Sequence, residues 1–476
     1  MKPFIKVPFK AILFLAFIVT WATAVAQQAD SLANYLKEAA TNNPGLKAKY
    51  SQYLAAMEKI PQAGSLPDPE MQFSFFITPM ELVAGNQLAD IRLMQMSPWF
   101  GTLKAAKDEA SKMALARYQE MLSVKNELYL EVKTSWYQVF RTNKEIEITE
   151  KNLALLKSLE RMALIRFKAA GVSPPAGPNG MASGNEIAQK TTSSGMSGGS
   201  MGKTNATSGG NSAGMTESSA SSMGSNNQGG LVNLLRVQIE IGTLENRLAL
   251  LHDQLKTGKV RLNSYLNRKP DSEVFVGDSL PEAHLPGSLS VLSDSIANNP
   301  MIKMYEADKA ANESRITMTR KMGYPMVGLG LNYYLIQKRP DATSMMDGKD
   351  MIMPMVTATL PIYRKKYTAL RRESEFLRDA AGESAANVKN ELTVKYQESV
   401  EQLKDAERRA ELFKRQASLA DKTLTLLTSS FSSAGADFEE ILRMQQQLLD
   451  YQFKLIDAGV DRNTAVAKLL SIIYYN

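Results

Sequence analysis

The pentapeptide Val124-Lys125-Asn126-Glu127-Leu128 occurs a second time, residue for residue, at Val388-Lys389-Asn390-Glu391-Leu392, 264 positions later. At the same offset, Phe167-x-x-Ala170-Gly171 recurs as Phe431-x-x-Ala434-Gly435. Closer to the beginning of each half, Asn42-Asn43-Pro44 recurs as Asn298-Asn299-Pro300. Matches in the same order along two halves of a chain predict a duplicated architecture.

A fourth match has a different offset. Leu235-Arg236-x-Gln238 matches Leu442-Arg443-x-Gln445, only 207 positions later, so the first half carries 57 additional residues after Gly171. The Gly- and Ser-rich segment 176–230 accounts for most of them and is predicted to be a disordered insertion. We therefore expect a first repeat over 27–270, a linker over 271–289 and a second repeat over 290–476.

Each repeat has the pattern helix, strand, strand, long helix, long helix. The long helices are predicted at about 103–170 and 231–266 in the first repeat, and at about 365–434 and 438–474 in the second. Helices of this length favour a coiled-coil shaft over a compact domain. Apolar residues spaced by three and four form one predicted seam in each half: Leu234, Val237, Ile241, Leu244, Leu248, Leu251 and Leu255, then Ile441, Met444, Leu448, Tyr451, Leu455 and Ala458.

The strands are predicted from alternation of apolar and polar residues. They cover about 70–78 and 89–97 in the first repeat, and about 326–337 and 351–361 in the second, with turns at Gly85-Asn86 and Asp347-Gly348. Such strands are typical of a membrane β-barrel, although a small soluble hairpin packed on the helices is an alternative. Four strands are too few to close a barrel alone, and three copies of the chain would supply twelve.

Composition argues against catalysis. The 476-residue chain has no cysteine and only two histidines, His252 and His284, neither of them in a recognisable motif. Thiol chemistry and Cys-ligated metals are excluded, so we expect no enzyme activity and no cofactor. The formal net charge of +7 is too mild to indicate nucleic acid binding.

The first 26 residues have the pattern of a secretory signal peptide. Lys2, Lys6 and Lys10 precede the apolar run 11–20, and Ala24-Val25-Ala26 supplies a small-x-small cleavage site. An uncleaved membrane anchor is the alternative, but the apolar run is short for a membrane span. No later run approaches 18 apolar residues, so any membrane span of the mature chain is expected to be β-structure.

Taken together, these features resemble the TolC family of bacterial outer-membrane efflux proteins. Besides the signal peptide, the duplication and the Asn-Asn-Pro motifs, three segments at the ends of strands are similar: Leu66-Pro67-Asp68-Pro69, Ser97-Pro98-Trp99-Phe100-Gly101 and Leu360-Pro361-Ile362-Tyr363. The resemblance implies a homotrimer in the outer membrane of a Gram-negative bacterium. Its 12-stranded β-barrel would continue into a periplasmic α-helical coiled-coil barrel, docked to a periplasmic adaptor and an inner-membrane pump of the RND type.

In the family, the turns between long helices form the periplasmic tip and its gate. Here these turns contain Gly171 and Gly435, and Asp437, Glu439 and Glu440 follow at the start of the returning helix. Threefold repetition would make the carboxylates an acidic, cation-selective ring. The simpler interpretation is a plain turn with acidic residues favoured by the helix dipole.

The insertion carries five methionines without an aromatic residue: Met181, Met196, Met201, Met215 and Met223. Thioethers are soft ligands that suit Cu(I) and Ag(I), so these residues indicate transient capture of such ions. The alternative is that these methionines bind nothing and only reflect the methionine content of the whole chain, which has 25 of them. A second group, Met345, Met346, Met351, Met353 and Met355, lies in the loop and at the start of the last strand, and the alternative to a metal-binding role is that some of them simply face lipid or lumen.

Three functions follow from this sequence. The first is an exit duct that passively conducts Cu(I), Ag(I) or other heavy-metal cations, as in the heavy-metal branch of the family. The second is the same duct exporting drugs or other small molecules. The third, of a different class, is a periplasmic coiled-coil scaffold or adaptor.

Overall fold

The computed structural model describes residues 32–82, 84–170, 225–340, 348–432 and 438–473. The chain is mainly helical with one antiparallel sheet, which confirms that part of the predicted fold class. In chain order its elements are α1 (Leu32–Asn42), α2 (Pro44–Gly64), β1 (Glu70–Leu82), β2 (Gly85–Ser97), α3 (Thr102–Ala170), α4 (Ser225–Leu266), α5 (Leu289–Asp294), a 3₁₀ turn (Ser295–Asn298), α6 (Pro300–Met322), β3 (Met326–Gln337), β4 (Met351–Thr359), α7 (Arg364–Ser432) and α8 (Phe438–Ile473).

The described residues belong to two units. The first comprises those of Met1–Ile148, Ala249–Thr423 and Gln446–Asn476, and it contains the sheet. The second comprises those of Thr149–Leu248 and Leu424–Gln445. Within the described ranges, no helix is both long and apolar enough to cross a membrane.

The two Asn-Asn-Pro motifs start helices in the same way. The side chains of Asn43 and Asn299 cap α2 and α6, accepting hydrogen bonds from the backbone N–H groups of Leu46 and Met301, and proline occupies the first turn. Each cap also donates from Nδ2 to a carbonyl near the end of a long helix, Asn43 to Tyr265 at 3.0 Å and Asn299 to Ile472 at 2.9 Å. The motif therefore caps the start of a helix and also joins that helix by a hydrogen bond to one of the long helices.

The repeated pentapeptide supplies residues to two hydrophobic cores of the first unit. Leu128 lies in a core with Tyr35, Val132 and Leu262, whereas Val388 and Leu392 lie in a core with Ile296, Tyr396 and Leu469. The repetition thus has a packing reason in both places.

The predicted seam of α4 is confirmed. Its seven residues are buried or half-buried, while the neighbouring Leu235, Ile239 and Leu250 are exposed. The seam of α8 is buried in the same manner, and Ile441 and Ala458 are fully covered. Spacing by three and four therefore identified the packed face of both helices.

Three predicted boundaries are corrected. Gly85 and Asn86 are the first residues of β2 and not a turn, because Leu82 pairs with Gly85, whose φ of 126° lets the strand begin directly after a two-residue connection. β4 ends at Thr359, before Pro361, which has no N–H to donate to a strand. Helix α4 begins at Ser225, within the segment predicted to be disordered, because extending an existing helix costs far less than nucleating one.

Candidate functional site

The sheet has two chemically distinct faces. Its strands are antiparallel in the order β1-β2-β3-β4, and residues that pair directly across strands project to the same side. One face carries rows such as Phe73–Ile91–Tyr333–Ile352 and Met71–Leu93–Leu331–Pro354. The other carries Gln72–Arg92–Asn332–Met353 and Ser74–Asp90–Tyr334–Met351. We call them the apolar face and the polar face.

The apolar face is the exposed one. Phe75, Leu329 and Val356 expose 78%, 66% and 73% of their surface. The described helices of the chain therefore do not cover most of this face. A small soluble hairpin packed on the helices would have its apolar face covered, so the exposure argues against that alternative. An exposed apolar surface of this kind marks contact with a membrane or with another protein.

Side chains on the polar face are bonded to one another. Arg92 Nε donates to Asn332 Oδ1 at 3.2 Å, and Asn332 Nδ2 donates to Tyr334 Oη at 3.1 Å. Asn332 is only 2% exposed. Around Asn332 the sheet is thus inverted relative to one in a soluble protein, because the polar network is buried or half-buried and most apolar side chains on the opposite face are exposed.

Seven methionines share the polar face: Met80, Met94, Met96, Met326, Met351, Met353 and Met355. Two glycines of β3, Gly328 and Gly330, lie among them in the rows Met96–Gly328–Thr357 and Met94–Gly330–Met355. Of the second predicted methionine group, Met351, Met353 and Met355 are therefore on the polar face, and Met345 and Met346 lie outside the described residues.

Most of the predicted site residues also lie outside the described residues. These are Gly171, Gly435 and Asp437 of the predicted tip, and Met181, Met196, Met201, Met215 and Met223 of the insertion. Their roles stay predictions. In the part of the chain that the structure describes, no group of three His, Cys, Asp or Glu side chains is arranged to hold a metal ion.

Glu439 and Glu440 form the acidic first turn of α8, and each faces an arginine. Arg236 Nη1 lies 2.5 Å from Glu439 Oε2, and Arg443 Nη2 lies 3.9 Å from Glu440 Oε1. The structure therefore places positive charge beside both carboxylates, which the prediction of an acidic ring did not include.

These two arginines belong to the Leu-Arg-x-Gln motif that aligned the two halves. The glutamines of the motif also have related partners, since Gln238 donates to Glu160 at 3.0 Å and Gln445 donates to Asn152 at 2.9 Å. Both acceptors lie on α3. The motif thus joins the start of α8 and the adjacent helices within the second unit.

A network of charges occupies the helices of the first unit. Arg141 Nε lies 2.8 Å from both Glu145 Oε1 and Asp457 Oδ1, and the second approach is an ion pair without hydrogen-bond geometry. Burial raises the pKa of Asp457, and the positive charge of Arg141 opposes that rise. Nearby, Arg409 pairs with Asp405 at 2.7 Å and with Asp461 at 2.9 Å.

Sequence reasoning missed Met94, Met96, Arg236 and Arg443. The first two would have been found by applying strand alternation to β2, since Asp90, Arg92, Met94 and Met96 are spaced by two. The arginines were visible as a repeated motif, but their pairing depends on the relative rotation of separate helices.

No family model and no curated protein sequence matches this chain. Solved structures do match. The outer membrane protein VceC from Vibrio cholerae has a TM-score of 0.66 at 12% identity, with 93% of this chain and 95% of that chain covered. CusC, described in terms of transmembrane channel formation, has a TM-score of 0.65 at 13% identity, covering 93% and 91%.

The open state of the MtrE outer membrane channel from Neisseria gonorrhoeae has a TM-score of 0.63 at 10% identity, covering 93% of this chain and 88% of that chain. The similarity shows that this chain has the fold of these outer-membrane proteins. Because the three TM-scores are nearly equal, the fold does not distinguish CusC from the others.

Proposed function

We propose that the protein is the outer-membrane exit duct of a tripartite efflux pump. Three copies would close a 12-stranded β-barrel in the outer membrane and a coiled-coil barrel in the periplasm. Substrate would pass through the water-filled interior without chemical change, so the duct needs no cofactor. The observation that carries the proposal is the sheet, whose apolar face is largely exposed while the Arg92–Asn332–Tyr334 network on its polar face is buried or half-buried.

The strand order supports closure by copies of the chain. β1 and β4 are the two edges of the sheet, and in lipid their unpaired backbone groups would be costly. Pairing β4 of one copy with β1 of the next satisfies these groups and encloses the polar face. Gram-negative outer membranes contain barrels with this arrangement of apolar exterior and polar interior.

The helices support the same assembly. Leu412, Leu419 and Leu426 are exposed at intervals of seven residues along α7. They lie beside the buried residues Ala420 and Leu424 but on a separate stripe. A second apolar heptad stripe on a helix that is already packed favours contact with another helix, and we assign that helix to a neighbouring copy.

The cargo that we propose is a soft heavy-metal cation, Cu(I) or Ag(I). Two groups of methionines support this cargo, because thioethers are soft ligands. One group lies in the insertion, and the other lies on the polar face of the sheet, which would line the interior of the duct. The duct would receive its cargo through a periplasmic adaptor from an energised inner-membrane pump of the RND type. The paired carboxylates Glu439 and Glu440 would lie near the periplasmic mouth.

The test uses a Gram-negative host that lacks its own duct and carries a matched adaptor and pump. The intact protein is expected to restore growth in graded copper and silver. A variant with residues 176–230 excised separates the insertion from the duct, and Leu329→Lys, on the apolar face, is the control that should fail to insert. Outer-membrane trimers that restore export of drugs but not of metal would contradict the cargo, and a soluble periplasmic monomer would contradict the duct.

A further inference from the structure

Two methionine side chains, one from β2 and one from β4, lie beside the glycines of β3. The sulfur of Met96, on β2, occupies the space that a Cβ at Gly328 would need. From β4, the methyl carbon of Met355 lies 3.3 Å from the position of a Cβ at Gly330. The glycines therefore leave a hollow on the polar face, and thioether groups fill it.

A third methionine borders the same hollow. Met94 pairs with Gly330 in the row that ends at Met355. Same-face positions along a strand are about 7 Å apart and neighbouring strands about 4.8 Å apart, so Met94, Met96 and Met355 occupy neighbouring positions around one small area of β3. All three side chains are half-buried.

The surroundings do not explain these methionines as lipid-facing or core residues. Their face carries Arg92, Asn332 and Tyr334 in one hydrogen-bonded network, and Glu70 pairs with Met94 across β1 and β2. The exposed apolar residues lie on the opposite face. Flexible methionine can fill gaps in a core, but here it covers glycines on the polar side of a sheet.

We propose that Met94, Met96 and Met355 form a thioether site for the soft monovalent cations Cu(I) and Ag(I). Neutral thioether sulfur binds such ions and discriminates against hard cations such as Na⁺, Mg²⁺ and Ca²⁺. The site rests on the proposed function, because it assigns a cargo class to the interior of the same duct. Conduction requires sites that bind and release, and a neutral three-sulfur site with mobile side chains meets that requirement.

The test is a titration of the full-length trimer in detergent, labelled with ¹³C at the methionine methyl groups, with silver nitrate in chloride-free buffer. The methyl resonances of Met94, Met96 and Met355, assigned by single Leu substitutions, are expected to shift together and saturably. Met71, on the apolar face, is the internal reference and should not shift. Sodium and magnesium nitrate should leave all of these resonances unchanged.

Two variants separate the site from a general affinity for thioethers. Met94→Leu/Met96→Leu/Met355→Leu keeps side-chain volume, and it should lower the amount of Ag(I) bound, whereas Met57→Leu/Met301→Leu/Met322→Leu, at exposed helix positions, should not. Gly328→Val retains every thioether but fills the hollow. It should weaken the affinity for Ag(I), read from the midpoint of the titration, on the order of tenfold.

Bilayer conductance of the same preparation distinguishes the possible failures. A conducting trimer in which Ag(I) shifts none of the three resonances overturns the thioether site and leaves the duct intact. A trimer in which Ag(I) shifts them but which does not conduct overturns the proposed duct and supports the site.

Discussion

Arg92 donates a hydrogen bond from Nε to Oδ1 of Asn332 across β2 and β3, at 3.2 Å. The next pair along the same two strands, Leu93 and Leu331, projects to the opposite face, where both side chains are exposed. At this point of β2 and β3 the polar side is therefore the more covered one.

A positive charge on the apolar face should prevent membrane insertion. Val356→Lys places an ammonium group where lipid is expected, at a cost of about 2–4 kcal/mol near the bilayer midplane. The next residue, Thr357, is on the polar face, so Thr357→Lys is the matched control. Heat-modifiable trimer in the outer-membrane fraction should fall sharply for the first variant only, and equal yields would count against the assigned faces.

The exposed stripe of α7 should hold the trimer together. Leu419→Glu/Leu426→Glu puts charge in place of two leucines that each contribute about 1.5–3 kcal/mol when buried. Lys414→Glu/Lys422→Glu, at exposed polar positions of the same helix, is the control. Mass measurement in detergent should find monomers for the leucine variant and trimers for the lysine variant. Trimers in both would remove this stripe from the interface.

Arg141 should stabilise the first unit in a pH-dependent manner. Arg141→Gln leaves Asp457 half-buried without its nearest counter-charge, although Arg409 still acts on it from further away, and we expect a loss of about 1–2 kcal/mol at neutral pH, because the pair is partly exposed. Burial already raises the pKa of Asp457, so its charged form is the costly one in the folded state. The loss should shrink as the pH falls through that raised pKa and the carboxyl takes up a proton.

The control for Arg141→Gln is Arg408→Gln, since Arg408 is 77% exposed and pairs with Asp405 at the surface. It should change the melting temperature little at any pH. If the two variants melt alike at neutral pH, or if the loss from Arg141→Gln grows in acid, the ion pair has no stabilising role.

The second asparagine of each Asn-Asn-Pro motif should have more effect than the first. Asn299→Ala removes both the cap of α6 and the bond to the Ile472 carbonyl, with an expected loss of about 1–2 kcal/mol. Asn299→Asp keeps the capping oxygen and loses only the donor, so its effect should be intermediate. Asn298→Ala, at an exposed position, should be nearly neutral, and melting in detergent distinguishes the three.

Local patterns in the sequence predicted most of the fold. The three-and-four spacing around Val237 and Ile441 identified packed helix faces, because burial follows the helical period directly. The Asn-Pro pairs located two helix starts, because capping is a property of adjacent residues. The start of β2 at Gly85 was not predicted, since a positive φ is not visible in a sequence.

The functional residues were harder to predict. Arg236 beside Glu439, and Met355 with Met96 over the β3 glycines, are contacts between segments distant in the sequence. Their formation depends on strand register and helix rotation, which one sequence does not specify. Gly171, Gly435, Asp437 and the insertion methionines lie outside the described residues, and their roles remain predictions.

Single-channel recording of purified trimers in a planar lipid bilayer tests the proposed duct most directly. Stepwise, ion-conducting insertions are expected from the intact protein, and Val356→Lys should give far fewer of them at equal protein concentration. Thr357→Lys should insert as the intact protein does and change the conductance of each step, because it would add a charge to the proposed lumen. Trimers that associate with the bilayer without conducting would contradict the account of this protein as a channel.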